Sequence, residues 1–247
     1  MKSTIKVFQV LETLCLEGAA GLSELSEVLD INKSSLHRFL GVLVKMGYVE
    51  KRDSRRYEPT LKVYRLGSEV KGRLSVAGIA RPYMQRLNQS LGETVNLAVF
   101  TDNWVVVIER IESSKTLRTN LVIGGRLPAH CTAFGKIFLS EMTSEELMRY
   151  VSGSPMEPFT KNTLTNVAAL EKELAQIRRN GYALDNQELA EGVRCIAAAI
   201  RDESARVVAA ISLSTPSSRV SKEQLLSFRQ PMMAATSEIS KALGFRK

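Results

Sequence analysis

The chain has 247 residues, with 34 Lys plus Arg against 26 Asp plus Glu, a formal net charge of +8, and 44% hydrophobic residues spread along its length. At roughly 100 to 200 residues per domain this suits one large domain or two modest ones, and the composition excludes disordered and collagen-like chains. No apolar run nears the roughly 18 residues a membrane helix needs, and MKSTIKVFQV has no signal-peptide core, so a cytoplasmic globular protein is expected.

In chain order, Ile5, Phe8, Leu11 and Cys15 recur at helical spacing, and Leu22, Leu25 and Leu29 repeat the pattern before Asp30-Ile31-Asn32. Two short helices and a turn are predicted. A third helix follows, capped by Asn32, running to about Met46 and stopped by Gly47. On it Leu36, Leu40 and Leu43 form a core stripe, while Ser34, Arg38, Gly41 and Lys45 share the opposite side within about 60°. Such a small, polar, basic face can enter the major groove of DNA, although an ordinary solvated face has the same pattern. Tyr48-Val49-Glu50 and Arg56-Tyr57-Glu58 then read as short strands around a basic turn, a wing. Between Lys33 and Lys62 stand 8 basic residues against 3 acidic ones, the footprint of a phosphate-binding surface. The candidate DNA contacts are Ser34, Ser35, His37 and Arg38 on bases, with Lys33, Lys45, Arg52, Arg55 and Arg56 on phosphates or the minor groove.

Leu61 to about Leu91 mixes Leu66, Val70, Leu74, Ile79, Met84, Leu87 and Leu91 with many charges and is interrupted by Gly72, Gly78 and Pro82. A helical connector in at least two segments is predicted, its apolar residues either pairing two copies of the chain or packing on its own domain. Strands are then expected at 94–100, 105–111 and 117–123, helices at about 134–141, 144–151 and 167–180, strands at 182–185, 194–201 and 207–214, and one closing helix at about 221–243. The fold class is α+β: an all-α winged helix-turn-helix over 1–60, a helical linker over 61–91 that serves dimerisation, and an α+β domain over 92–247 with a largely antiparallel sheet.

Two clusters in the second half can hold a small molecule. If a helix begins near Thr132 or Ala133, after Gly124-Gly125 and Pro128, its first amides form a small anion site; alternatively Thr132 simply caps its own helix. Asp185 and Glu188 can accept from ligand hydroxyls, Cys195 lies in an apolar strand, and Ser212 and Ser214 share one strand face. A thiol enzyme using His130 with Cys131, or Cys195, is an alternative, but no orienting third group is evident. Cys15, Cys131 and Cys195 form no CxxC pair, and His37 and His130 are the only histidines, so no disulfide framework, metal site or cofactor is expected.

The stretches LSELSEVLDINKSSLHRFLGVLVKMGYVEK, RRYEPT leading to RLGS, GGRLPAHCTAFGKIFL and GYALDNQELAEGVRCIAAAI together resemble the IclR family of bacterial transcription regulators over essentially the full length. Pro59-Thr60 is a departure, since the family often runs straight from the wing tyrosine into a Leu-Gly. The resemblance implies a regulator without enzymatic activity that binds an operator in double-stranded DNA, a repressor of a catabolic operon working as a homodimer or tetramer. It also implies a small carboxylate effector, such as a keto acid, sugar acid or aromatic acid, held by the second domain. Position by position it implies ligand contacts from His130, Cys131, Thr132, Ala133, Phe134 and Gly135, from Asp185, Val193 and Cys195, and from Leu117 to Thr119 on a facing strand. Phe134 departs from the small residue often found there and narrows the pocket or stacks on an unsaturated ligand. An architectural DNA binder without a ligand is the remaining alternative.

Overall fold

The computed structural model describes residues 2–52, 55–73, 75–119 and 121–246. The chain forms two compact units, Met1–Arg73 and Leu74–Lys247. The first contains helices α1 (Lys2–Glu17), α2 (Leu22–Leu29), α3 (Lys33–Lys45) and α4 (Leu61–Arg73) and strands β1 (Ala20–Gly21), β2 (Val49–Lys51) and β3 (Arg56–Pro59). Asn32 caps α3 as its spacing predicts, its side chain accepting from the Ser35 amide. Gly47 takes the left-handed conformation, φ +73°, that ends such a helix cheaply. Val10, Leu14, Leu25, Ile31, Leu36, Phe39, Leu40, Leu43, Val49 and Tyr57 close one core. The wing is present, but the unit is not all-α: β1 pairs antiparallel with β3 at Ala20 and Tyr57, making a three-stranded sheet in the order β1-β3-β2. Two residues are too few for an alternation signal. Asp53 and Ser54 of the predicted basic turn, Leu74 of the connector and Asn120 of the predicted strand at 117–123 lie outside the described residues.

The second unit opens with α5 (Ser75–Leu91), then β4 (Thr94–Thr101), β5 (Trp104–Ile111), β6 (Arg126–Leu127), α6 (Ala133–Ser140), α7 (Ser144–Gly153), α8 (Val167–Asn180), β7 (Tyr182–Asn186), β8 (Val193–Arg201), β9 (Val207–Pro216), α9 (Lys222–Ser227) and α10 (Arg229–Ala242). The sheet is antiparallel throughout, in the order β6-β5-β4-β9-β8-β7. The connector thus divides. Ala77, Ala80, Met84 and Leu87 of α5 pack under the sheet as a layer of the second unit.

Strand parity gives the sheet two unlike faces. One carries Val95, Leu97, Ile196, Ile200, Ile211 and Leu213 against α5 and α10. The other carries Ala98, Ala183, Ala197 and Ala210 against α6, every residue of which is buried. Large branched side chains fill the first face, whereas methyl groups on the second let α6 approach closely. Gly135 extends that closeness, because a Cβ there would lie 2.2 Å from the Cα and carbonyl oxygen of Ala129.

Two predicted elements differ. The segment 117–123 is not a strand among its described residues: the Arg110 guanidinium takes the carbonyls of Thr119 and Leu121, which a strand would give to a neighbour. It lies as a strap, and Leu117, Val122 and Ile123 face solvent. The closing helix is broken at Phe228, because Pro231 has no amide to donate to the Ser227 carbonyl. A new helix starts at Arg229, placing the proline in its first turn where no donor is needed.

Candidate functional site

In the first unit, Lys33, Ser34, His37, Arg38, Gly41 and Lys45 are all exposed along α3, opposite the buried Leu36, Phe39, Leu40 and Leu43. Ser35 is half-buried beside the cap, and the Ser34 hydroxyl donates to Asn32 Oδ1 at 2.8 Å. The wing cations are not equivalent. Arg52 binds Glu58 at 2.5 Å and Glu50 at 3.1 Å. Arg56 reaches back to Glu24 of α2 at 3.0 Å and to the Ala19 carbonyl at 2.5 Å, clamping wing to helix. Both guanidiniums are committed within the chain. Among the described residues Lys33, Arg38, Lys45 and Arg55 carry charge with no carboxylate partner, and Arg55 stands at the wing turn with φ +58°.

In the second unit, sheet register brings polar residues together on the methyl-lined face. One rung runs Arg110–Asn96–Ser212–Ala197 across β5, β4, β9 and β8; the next runs Thr94–Ser214–Cys195–Asp185 across β4, β9, β8 and β7. Asn96 Nδ2 donates to Ser214 Oγ at 3.1 Å, and Cys195 Sγ donates to the same oxygen at 3.3 Å. Asn96 and Ser212 are fully buried, yet Asn96 Oδ1 and Ser212 Oγ have no hydrogen-bond partner. Thr119 Oγ1, on the strap that Arg110 holds over this face, is a third such atom. A buried acceptor or hydroxyl left unpaired costs about 1–3 kcal/mol.

Beside this patch lies a buried charged trio. Lys136 of α6 is 1% exposed, its Nζ 2.7 Å from Glu188 Oε1 and 3.4 Å from Glu173 Oε1 of α8. The Glu188 amide donates to Asp185 Oδ1 at 2.7 Å, and Thr163 Oγ1 donates to the Glu188 carbonyl at 2.6 Å. Burial pushes the Asp185 carboxyl up to about 7, assisted by the negative Glu188. Burial also raises Glu188, outweighing Lys136. Near neutral pH Asp185 is thus divided between a hydrogen-bond donor and an acceptor.

Thr132 caps α6: its hydroxyl accepts from the Gly135 amide at 3.1 Å and donates to the Pro128 carbonyl at 2.9 Å. The amides of Ala133 and Phe134 remain at the positive end of the helix. His130 is buried with Nε2–H donating to the Glu157 carbonyl at 3.1 Å, and burial holds the imidazole below its usual range, hence neutral. Cys131 is buried and its thiol is pushed up to about 12, while Cys195 is raised as well, both by burial, so neither is a thiolate at neutral pH. Phe134 is 3% exposed and packs in the core between α6 and the sheet. Val193 sits half-buried on β8 with the parity of Cys195. Leu117 differs from expectation. Its side chain is 58% exposed, and only its carbonyl is held, by Arg219.

Sequence reasoning missed Asn96 and Lys136 and gave Ser214 little weight. The alternation at Thr94 to Val99 puts Asn96 in phase with Ala98, but only cross-strand register shows that it meets Ser212 and Ser214.

A basic helix-turn-helix with a wing, followed by a separate α+β unit with an unsatisfied buried polar patch, is the build of a DNA-binding transcription regulator. Residues 3–53 match the IclR helix-turn-helix domain, and residues 69–241 match the bacterial transcriptional regulator IclR C-terminal domain. The chain belongs to the IclR family. It is 33% identical over 246 residues to the HTH-type transcriptional regulator KdgR of Escherichia coli K12, covering 99% of this chain and 94% of that one. It is 36% identical over 231 residues to the HTH-type transcriptional repressor AllR of the same organism, covering 93% and 85%. The crystal structure of Thermotoga maritima IclR superposes with a TM-score of 0.82 at 29% identity, covering 99% of this chain and 100% of that one. Matched domains and relatives are regulators, and the chain is a regulator and not an enzyme. No helix among the described residues is long and apolar enough to cross a membrane.

Proposed function

We propose that this protein is a repressor of a catabolic operon, released from its operator by a small carboxylate that binds on the methyl-lined face of the second unit. The observation that carries the reading is the set of buried, unpaired atoms Asn96 Oδ1 and Ser212 Oγ on the sheet and Thr119 Oγ1 on the strap. A domain with no ligand to bind gains nothing from that deficit, which tells against a purely architectural DNA binder. The ligand carboxylate takes the Ala133 and Phe134 amides at the start of α6, with Asp185 as a proton-bearing neighbour. Exposed Lys33, Ser34, His37, Arg38 and Lys45 read or grip DNA, and Arg55 grips it from the wing. AllR, named a repressor, supports the sign of regulation.

The chain acts as a homo-oligomer in this reading. Supporting it is an apolar groove of about 880 Å³ lined by α1, α3 and α4, with Phe8 60% and Leu66 48% exposed. The test selects operator fragments from genomic DNA with the purified protein and measures their release by a carboxylate panel using fluorescence anisotropy. Release by one acid, lost in Asp185→Ala, is expected. Tight operator binding that no carboxylate changes would leave the architectural alternative standing.

A further inference from the structure

We propose that Glu24 of α2 is the positioning residue of the wing: through Arg56 it aims Arg55 at DNA, and Arg56 itself makes no DNA contact. The inference rests on the assignment of Arg55 to DNA in the reading above and names what sets its direction. At the wing turn the Arg52 amide donates to the Arg56 carbonyl at 2.9 Å and the Arg55 amide donates to the Arg52 carbonyl at 3.0 Å. Arg52 braces the same hairpin from within, through Glu50 and Glu58. At its base the hairpin is held by Tyr57, buried in the core, and by β1, which is only two residues long.

Arg56 supplies the remaining link to the helices. Its Nη1 donates to Glu24 Oε1 at 3.0 Å and its Nη2 to the Ala19 carbonyl at 2.5 Å. The other oxygen of that carboxylate, Oε2, accepts from the Gly21 amide at 3.0 Å, and Gly21 is the β1 residue that pairs with Arg56. The contacts close a ring: the Arg56 side chain to Glu24, Glu24 to Gly21, and Gly21 across the strand pair to the Arg56 backbone. A lone exposed ion pair fixes little, because both side chains keep their freedom. Here both carboxylate oxygens and both terminal guanidinium nitrogens are engaged by different groups, so the ring holds one geometry.

Charge separates this role from a phosphate contact. The Gly21 amide, and Arg56 after it, hold the Glu24 carboxyl below its usual range, so it stays ionised at neutral pH and cancels the Arg56 charge. A phosphate that drew Arg56 away would leave the Glu24 carboxylate beside a polyanion with no cation, which opposes binding. Arg55 has no such carboxylate partner. It stands at the turn, φ +58°, one residue from the anchored Arg56, and is therefore presented from a fixed stem.

Fluorescence anisotropy on the full chain, with a selected operator fragment and a random duplex over a range of salt, tests this with Glu24→Gln, Arg56→Ala, Arg55→Ala and their pairs. In Glu24→Gln the amide oxygen can still accept from Gly21 while the charge that holds Arg56 is gone, and circular dichroism checks that each variant folds. Glu24→Gln is expected to weaken operator binding about three- to tenfold even though it removes a negative charge. In an Arg55→Ala background neither Glu24→Gln nor Arg56→Ala should weaken binding further, and Arg55→Ala with Arg56→Ala should lower the salt slope by about 1. Arg56→Lys, which offers one nitrogen where two are used, should recover part of the Arg56→Ala loss. If Glu24→Gln strengthens binding to both DNAs, or the Arg55→Ala, Arg56→Ala pair lowers the slope by about 2, Arg56 is a phosphate contact and the inference falls. If Arg55→Ala weakens binding while Glu24→Gln and Arg56→Ala do not, the ring is only structural; the inference falls and Arg55 keeps its place. If Arg55→Ala changes nothing, that assignment falls and the inference with it.

Discussion

Removing the ammonium of Lys136 should damage the second unit more than removing its partner carboxylate. In Lys136→Met the stem stays packed, but Glu188 Oε1 loses a cation at 2.7 Å and Oε2 has no partner to begin with. Glu173, its side chain about one-third exposed, rehydrates, whereas the Glu188 side chain is 9% exposed and cannot. Breaking a buried pair from one side costs about 3–5 kcal/mol. In Glu188→Gln, Lys136 keeps Glu173 at 3.4 Å, so the loss should be about 1–3 kcal/mol. With both replaced no charge is stranded, and the double variant should recover about 1–3 kcal/mol relative to the sum of the singles. Trp104 on β5 is the chain's single tryptophan and reports unfolding of this unit in urea. Because a protonated Glu188 no longer needs a counter-ion, and burial already raises its carboxyl, the Lys136→Met deficit should shrink as pH falls. A strictly additive double variant, or a single variant costing under about 1 kcal/mol, would refute the argument that Lys136 exists here to neutralise Glu188.

Gly135→Ala forces a Cβ to within 2.2 Å of the Ala129 backbone, which has no flexible end to move aside; a loss of at least about 1–3 kcal/mol is expected in the same urea titration. Asp185 titrates near 7 in the folded chain against an ordinary 3.8, so the folded state holds the proton more tightly than the unfolded one. Its contribution is greatest in acid and is lost as pH rises from about 4 through 7, by at most about 4 kcal/mol. Asp185→Asn should therefore flatten that part of the stability profile; a wild-type profile with no steeper fall would count against it. Arg38→Ala should cut discrimination between operator and random DNA by about 1–3 kcal/mol, whereas Arg55→Ala should weaken both alike and lower the salt slope by about 1. Equal loss on both DNAs for Arg38→Ala, measured by anisotropy, would remove it from the bases.

Local signals in the chain carried much of this architecture. Asn32 and Gly47 bracket α3 because capping is decided by a residue and its nearest amides. Asn166 and Gly181 do the same for α8. What stayed hidden depends on distant partners. The apolar run around Leu121 to Ile123 looks like a strand until Arg110 takes its carbonyls, and Arg56 looks like a free cation until Glu24, 32 residues earlier, appears beside it. The same holds for the site. Thr132 and Asp185 are visible as residue types near glycines, but the meeting of Asn96, Ser212 and Ser214 is a fact of sheet register, which periodicity alone does not fix.

In the proposed reading the two faces of the six-stranded sheet divide the work of holding and of sensing. Isoleucines, leucines and valines on one side interlock with α5 and α10, so changes there are paid for in stability. On the other side alanines, serines and a cysteine differ from one another by one or two atoms. Swaps among them alter what a guest molecule touches while leaving the scaffold almost unchanged. A lineage, or an engineer building a biosensor, can therefore retune recognition one methyl or one hydroxyl at a time without renegotiating the fold.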